Sequence, residues 1–225
     1  MIALEDVTKS FATGRQRTVV ARDLTFAFPE GQAMALLGRN GAGKSSLLQL
    51  LSGAMRPDHG RVIRRGTISW PVGFQGSFHP DLTGVENTRF VARLYGLDTD
   101  SLTRFVEGFA DLGPHFRQPV RHYSAGMKAR LAFAVSIGCP FDTYLIDEVT
   151  SVGDGAFRQK SEDILRDRLA LSSAIVVSHS MDLLARLCSS GAVLENGRLF
   201  FYARVERAIE HYRYLMQGRM PPWMV

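Results

Sequence analysis

An α/β fold around a buried parallel sheet is what the sequence predicts, and three short segments carry that expectation. Ala33-Met34-Ala35-Leu36-Leu37 is an unbroken apolar run that stops at a glycine-rich turn, beyond which Ser46–Leu51 has helical character. Thr143–Ile146 and Ala174–Val177 are two further apolar runs, ending in Asp147-Glu148 and Ser178-His179. Apolar runs without alternation suit strands covered on both faces, as parallel strands are. Polar residues gathered at strand C-termini mark the edge where such sheets hold ligands.

The remaining elements follow in order. Ile2–Val7 alternates well enough for an opening strand and Thr18–Phe28 reads as another, with Ala12–Arg17 between them as a polar loop. Pro29-Glu30-Gly31 turns the chain into the Ala33 strand, and Arg56–Gly60 is a second turn, followed by short strands at Arg61–Ile63 and Thr67–Trp70. From about 82 to 137 the pattern is helical, with Val85, Phe90, Val91 and Leu94 spaced at threes and fours. Arg204–Gln217 is an amphipathic helix candidate, and Met220–Val225 reads as a frayed tail. The chain has no internal repeat and no low-complexity segment.

Composition removes several function classes. With 225 residues, 45% hydrophobic and 22% charged, the chain buries one substantial core and is not disordered. No apolar stretch approaches the roughly 20 residues of a membrane span. The N-terminus has neither a basic start nor an apolar signal core, which predicts a cytoplasmic protein unless a partner holds it at a membrane. Cys139 and Cys188 form no C-x-x-C pair and read as reduced, packed thiols. A net charge of +5 and a pI near 9.5 suit an anionic partner. The basic residues are dispersed, however, and no run of them marks a nucleic-acid groove.

Gly38-Arg39-Asn40-Gly41-Ala42-Gly43-Lys44-Ser45 is a complete G-x-x-x-x-G-K-[ST] phosphate-binding loop in its required setting between a strand and a helix N-terminus. Its glycines let consecutive N–H groups close around an oxyanion, and the positive end of the helix adds to the attraction. Lys44 is expected to reach the β- and γ-phosphates, Ser45 to ligate Mg²⁺, and Ser46 to complete the nucleotide-binding stretch. Asp147 is placed to hold Mg²⁺ through water, Glu148 to act as general base on the attacking water, and His179 to hold that water or sense the γ-phosphate. Ser124 is a plausible N-cap for a helix running from Ala129 to Ile137, with Ala125-Gly126 leaving backbone N–H groups open to an anion.

Together these motifs resemble the ATP-binding-cassette (ABC) ATPases, over essentially the whole chain. The resemblance implies a P-loop NTPase (RecA-like) α/β core with an antiparallel β-subdomain and a helical subdomain, in one domain spanning 1–225. It identifies Ser124-Ala125-Gly126-Met127 with the family signature, usually Ser-Gly-Gly-Gln, from which Ala125 and Met127 depart. That signature binds the γ-phosphate held by another copy's phosphate loop, so a head-to-tail homodimer and the cofactors ATP and Mg²⁺ are implied. Asp154 falls at the D-loop position, Phe11 at that of the aromatic residue stacking on adenine, and Gln75 at that of the Q-loop residue touching Mg²⁺, about one residue out of the usual register.

The segments Ile68–Gly73, Leu82-Thr83-Gly84 with Glu86-Asn87, Phe90–Tyr95, Tyr123–Met127 and Asp147–Asp154 narrow the likeness to capsular-polysaccharide export ATPases. That branch implies a polytopic membrane permease as partner, a capsular polysaccharide as cargo, and a peripheral place on the cytoplasmic face of the bacterial inner membrane. O-antigen and teichoic-acid exporters share much of the pattern, but many O-antigen ATPases carry a further C-terminal domain for which this sequence leaves no room. Soluble ABC proteins acting on ribosomes or nucleic acid are the alternative from another class. They usually carry two cassettes or a long coiled-coil insert, and neither is present.

Overall fold

The computed structural model describes residues 1–13, 16–73, 76, 78–147 and 155–224. Its chain divides into two compact units, one of Met1–Pro71, Asp142–Glu148 and Leu169–Val225, the other of Val72–Phe141 and Val149–Arg168.

The first unit carries a three-stranded antiparallel sheet in which β1 (Ile2–Thr13) lies between β2 (Gln16–Ala27) and β4 (His59–Arg64). The strands of this sheet are longer than expected. The Ala12–Arg17 loop is mostly ladder, with Phe11 opposite Thr18, Ala12 opposite Arg17 and Thr13 opposite Gln16. Ladder hydrogen bonds override polar composition here, as a hairpin needs only about two residues to turn. The alternation in β1 is blurred by a register shift between Leu4 and Val7, where Asp6 has a φ of 51°.

A six-stranded sheet has the order β5-β6-β7-β3-β8-β9, comprising β3 (Ala33–Leu37), β5 (Ile68–Val72), β6 (Thr143–Asp147), β7 (Ser173–Val177), β8 (Ser190–Glu195) and β9 (Arg198–Tyr202). β3 runs parallel to β7 and β8, and β6 parallel to β7, so four strand C-termini share one edge. Every residue of β3 is buried, as its unbroken apolar run requires. Helix α1 (Lys44–Ser52) buries Leu47, Leu48, Leu50 and Leu51 in a core shared with Ile2, Leu4 and Leu24 of the small sheet and Met34, Leu36, Leu145 and Ile175 of the large one. Each such leucine contributes about 1.5–3 kcal/mol by leaving water.

The second unit is helical, built from α2 (Gly84–Leu94), α3 (Thr99–Ala110), α4 (Ala125–Gly138) and most of α5 (Gly155–Leu169). Helix α2 opens on a capping box in which Thr83 Oγ1 accepts from the Glu86 N–H and the Glu86 carboxylate accepts from the Thr83 N–H. Residues Leu131–Ile137 of α4 are all buried, so this helix has no polar face along its second half. Phe109 stacks on Phe105 and Phe133 and meets Phe157 edge-on, joining α3, α4 and α5. The even apolar spacing in α2 does not translate into an all-buried face. Val91 is buried, but Phe90 and Leu94 are 58% and 66% exposed.

Helices α6 (Met181–Leu187) and α7 (Val205–Met216) complete the first unit. The terminal residues do not fray as expected. Pro221 is buried, Pro222–Met224 forms a 3₁₀ turn, and Trp223 meets Tyr214 edge-on with the Arg207 guanidinium 4.9 Å from its ring. An aromatic–cation contact of this kind ties down a segment whose composition reads as disordered. Cys139 and Cys188 are buried free thiols, pushed up to about 12 by burial.

His211, 1% exposed, has Nδ1 2.9 Å from the Tyr202 hydroxyl and Nε2 3.8 Å from a Glu195 carboxylate oxygen. Burial holds its imidazole below the ordinary histidine range, with Glu195 opposing the shift. The unfolded chain therefore takes up a proton that the folded chain refuses. The stability this contributes is present above about pH 6.5 and is lost as pH falls. His211→Gln should flatten the fall in Tm between about pH 7 and pH 5 relative to wild type. Equal slopes in thermal melts would refute the assignment.

Candidate nucleotide site

The site grows out of the edge where β3, β7 and β6 end. Leaving β3, the chain turns at Gly38, whose backbone lies against Leu194 so closely that a Cβ would sit 2.6 Å from the Leu194 carbonyl oxygen. Gly43 ends the loop at φ 100°, and a Cβ there would meet Val20 Cγ1 at 2.7 Å. Both positions therefore exclude a side chain on conformational and steric grounds together. Between them the Ala42 N–H donates to the Arg39 carbonyl at 3.0 Å, closing the loop on itself.

Helix α1 begins at Lys44 with Gly43 as N-cap, no side-chain capping bond and no acidic residue in its first turn. The Leu47 N–H donates to the Gly43 carbonyl at 2.8 Å, so the amides before it precede the intrahelical ladder and face the loop opening. Lys44 is half-buried, and its ammonium donates to the carbonyls of Gly38 at 2.7 Å and Arg39 at 3.2 Å. The loop's own carbonyls thus hold the cation over its mouth. Positive helix end, inward amides and a poised ammonium make a receptor for a polyphosphate.

An open cavity of about 620 Å³ lies over this loop. Asn40, Gly41, Gly43, Lys44, Ser45 and Ser46 form one side of it, Phe11, Thr18 and Val20 another, and His179 also lines it. The structure so brings together the loop, the β1 aromatic and the histidine that follows β7. Phe11 is 37% exposed, with the Lys9 ammonium 5.4 Å from its ring, and Lys9 is itself paired with Asp58 at 2.7 Å. Thr18 and Val20 escaped the sequence reading. Pairing of Phe11 with Thr18 across the hairpin is the signal that finds them, since residues opposite on a ladder share a face.

Asp147 is half-buried at the end of β6, opposite Val177 of β7, and is not among the residues lining the cavity. Gln75, Glu148 and Asp154 lie outside the described residues. In the helical unit, Ser124 caps α4, its Oγ accepting from the Met127 N–H at 3.2 Å. Ser124, Ala125 and Gly126 are exposed, and a Cβ on Gly126 would find only Ser124 Oγ, at 3.9 Å. Among the described residues no close neighbour calls for a glycine there.

Residues 21–151 match the family model described as ABC transporter. The polysialic acid transport ATP-binding protein KpsT of Escherichia coli is 44% identical over 216 residues, covering 95% of this chain and 96% of its own. The capsule polysaccharide export ATP-binding protein CtrD of Neisseria meningitidis serogroup B is 42% identical, covering 96% of this chain and 100% of its own. The chain belongs to the ABC transporter family. It is the nucleotide-binding subunit of an ABC exporter, an ATPase coupled to transport. The fold agrees with that of a solved ABC cassette, a dimer in a post-hydrolysis state with ADP and phosphate, at a TM-score of 0.74 and 22% identity over 88% of this chain and 97% of that one. No helix among the described residues of this ABC ATPase is long and apolar enough to cross a membrane.

Lys44→Ala removes the ammonium from the cavity while leaving the α1 leucines in place. ATP affinity measured by calorimetry should fall at least about tenfold, in line with loss of a charge-assisted contact to phosphate. Unchanged affinity would refute the role given to the loop.

Proposed function

We propose that this chain is the motor of a capsular-polysaccharide exporter, working as a homodimer beneath a polytopic permease on the cytoplasmic face of the bacterial inner membrane. The observation that carries this reading is the 42–44% identity to ATP-binding proteins of polysialic acid transport and of capsule polysaccharide export, over nearly the full length of both chains in each pair. The exposed apolar residues of α2 support a protein partner. Phe90 lines a cavity of about 390 Å³ together with Phe78, Pro80 and Leu82, a surface suited to an apolar segment of the permease, and Leu94 is exposed one turn further along α2.

In this reading the amides of Gly41–Ser46 and the Lys44 ammonium bind the triphosphate, and Phe11 stacks on the adenine with Thr18 and Val20 beneath it. The Ser45 hydroxyl and the Asp147 carboxylate are hard oxygen donors of the kind Mg²⁺ takes. Gln75 is a further ligand for this cation, which arrives with the nucleotide. When bound, Mg²⁺ supplies charge neutralisation at the β- and γ-phosphates. Glu148 takes the proton of the attacking water, and His179 orients that water beside the γ-phosphate.

The capped N-terminus of α4 completes the site of a second copy. Ser124 and the open amides of Ala125 and Gly126 receive the γ-phosphate held by that copy's loop, and Met127 and Asp154 belong to the same contact. Two triphosphates then bridge two chains, and hydrolysis removes the bridge. Repeated closure and opening drive the permease and its glycan cargo.

Glu148→Gln should keep ATP binding and trap an ATP-bound dimer, seen as a doubled mass in size-exclusion chromatography with ATP. Turnover near wild type would refute the base assignment. Purified from its native membrane, the wild-type chain should carry an integral membrane protein with it, whereas recovery on ribosomes would overturn the exporter reading.

A further inference from the structure

Asn87, at the fourth position of α2, is 2% exposed and spends its whole side chain on the backbone before that helix. Its Oδ1 accepts from the His79 N–H at 2.9 Å. Its Nδ2 donates to the carbonyls of His79 at 3.1 Å, Leu82 at 3.2 Å and Thr83 at 3.0 Å. One planar amide so serves four backbone groups of a segment that is neither helix nor strand, where such groups have no regular ladder to satisfy them.

The other side of that segment holds the approach to α4. The Val120 N–H donates to the Leu82 carbonyl at 2.9 Å and the Arg121 N–H to the Pro80 carbonyl at 2.8 Å. Thr83 bridges Pro119, and the Arg121 guanidinium pairs with Asp81 at 2.5 Å. Tyr123 follows, its hydroxyl donating to the His115 carbonyl at 2.7 Å, and then Ser124, the N-cap. The body of α4 is fixed by its buried residues, but its first turn is exposed and is aimed by these preceding residues. Hydrogen bonds therefore run from the Asn87 amide through Leu82 to Val120 and on to Tyr123, the residue that directly precedes Ser124 in the chain, all within one compact unit.

We propose that Asn87 is a positioning residue for ATP hydrolysis, holding His79–Thr83 in the one conformation to which Pro119–Tyr123, and hence the phosphate-receiving Ser124, is tied. This rests on the reading that Ser124–Met127 completes a second copy's site. Only asparagine meets the geometry. Aspartate would turn a carboxylate toward three carbonyl oxygens, alanine would take the acceptor from the His79 N–H and the side-chain donor from those carbonyls, leaving them only their backbone donors, and glutamine is one methylene too long for the same four contacts. The strap also touches the surface assigned to the permease, because Asn87, His79 and Leu82 line the same cavity as Phe90.

The test uses the full chain and separates turnover from binding. In Asn87→Ala, kcat should fall about tenfold or more, since misplacing a reacting contact by about 1 Å costs up to roughly a hundredfold. ATP affinity should stay within about twofold of wild type, because the chain's own loop and cavity are untouched. Arg121→Glu sets two like charges across the exposed side of the strap and should lower kcat by about two- to fivefold, the scale of a surface ion pair, with affinity again unchanged. If Asn87→Ala does not fold, Arg121→Glu decides alone. Wild-type turnover in these variants, or a loss of turnover no larger than a matching loss of ATP affinity, overturns the proposal. Ser124→Arg separates the two ideas. Wild-type turnover in that variant sinks the two-copy reading and the strap with it; an inactive Ser124→Arg beside fully active Asn87→Ala and Arg121→Glu sinks the strap alone.

Discussion

The burial of α1 is the constraint on which the first unit depends. Four leucines in nine residues are fully withdrawn from water between a three-stranded sheet and a six-stranded one. At roughly 1.5–3 kcal/mol each they contribute a sum comparable to the whole net stability of many domains. That burial fixes the helix axis, and with it the direction in which the first-turn amides point. A helix end this firmly held can stay uncapped and lined with backbone donors without unravelling. The electrostatic work of gathering a polyphosphate is done in advance by the hydrophobic core, so nucleotide binding requires little reorganisation of the site.

The helical unit exposes a helix N-terminus by a different arrangement. Helix α4 is held along its second half by buried residues on every side, and its N-terminus reaches solvent capped by Ser124. Where the phosphate loop is shaped by close approach, at Gly38 against Leu194 and at Gly43 against Val20, the space around Gly126 is open. The first two glycines answer to the fold of this chain. The third has no such close neighbour among the described residues.

Local chemistry was legible in the sequence wherever it depends on consecutive residues. The loop, its flanking strand and helix, the strand ends at Asp147 and His179, and the Ser124 cap all stand where spacing puts them. What depends on partners distant in sequence was not legible. β1 and β2 extend through a polar stretch because each satisfies the other's backbone, which composition cannot reveal. β8 and β9 went unread, since β8 begins Ser-Gly and its burial comes from β3 and α7 rather than from its own pattern. Phe90 and Leu94 share the period of a core face, but period alone cannot say which apolar stripe is covered. The terminal Trp223 reads as a loose end until Tyr214 and Arg207 are placed beside it. Gln75, Glu148 and Asp154, three residues central to the functional reading, lie outside the described structure and rest on sequence alone.

The two thiols have a practical consequence. Cys139 and Cys188 are both buried, with titration pushed up to about 12, and at neutral pH almost no thiolate exists to attack an electrophile. In the folded chain both thiols are therefore poor targets for maleimides and iodoacetamides. A cysteine introduced at an exposed position would react alone, with no need to strip the native ones and disturb the core. A single fluorophore or spin label could then report on the chain during turnover, on a protein otherwise unchanged.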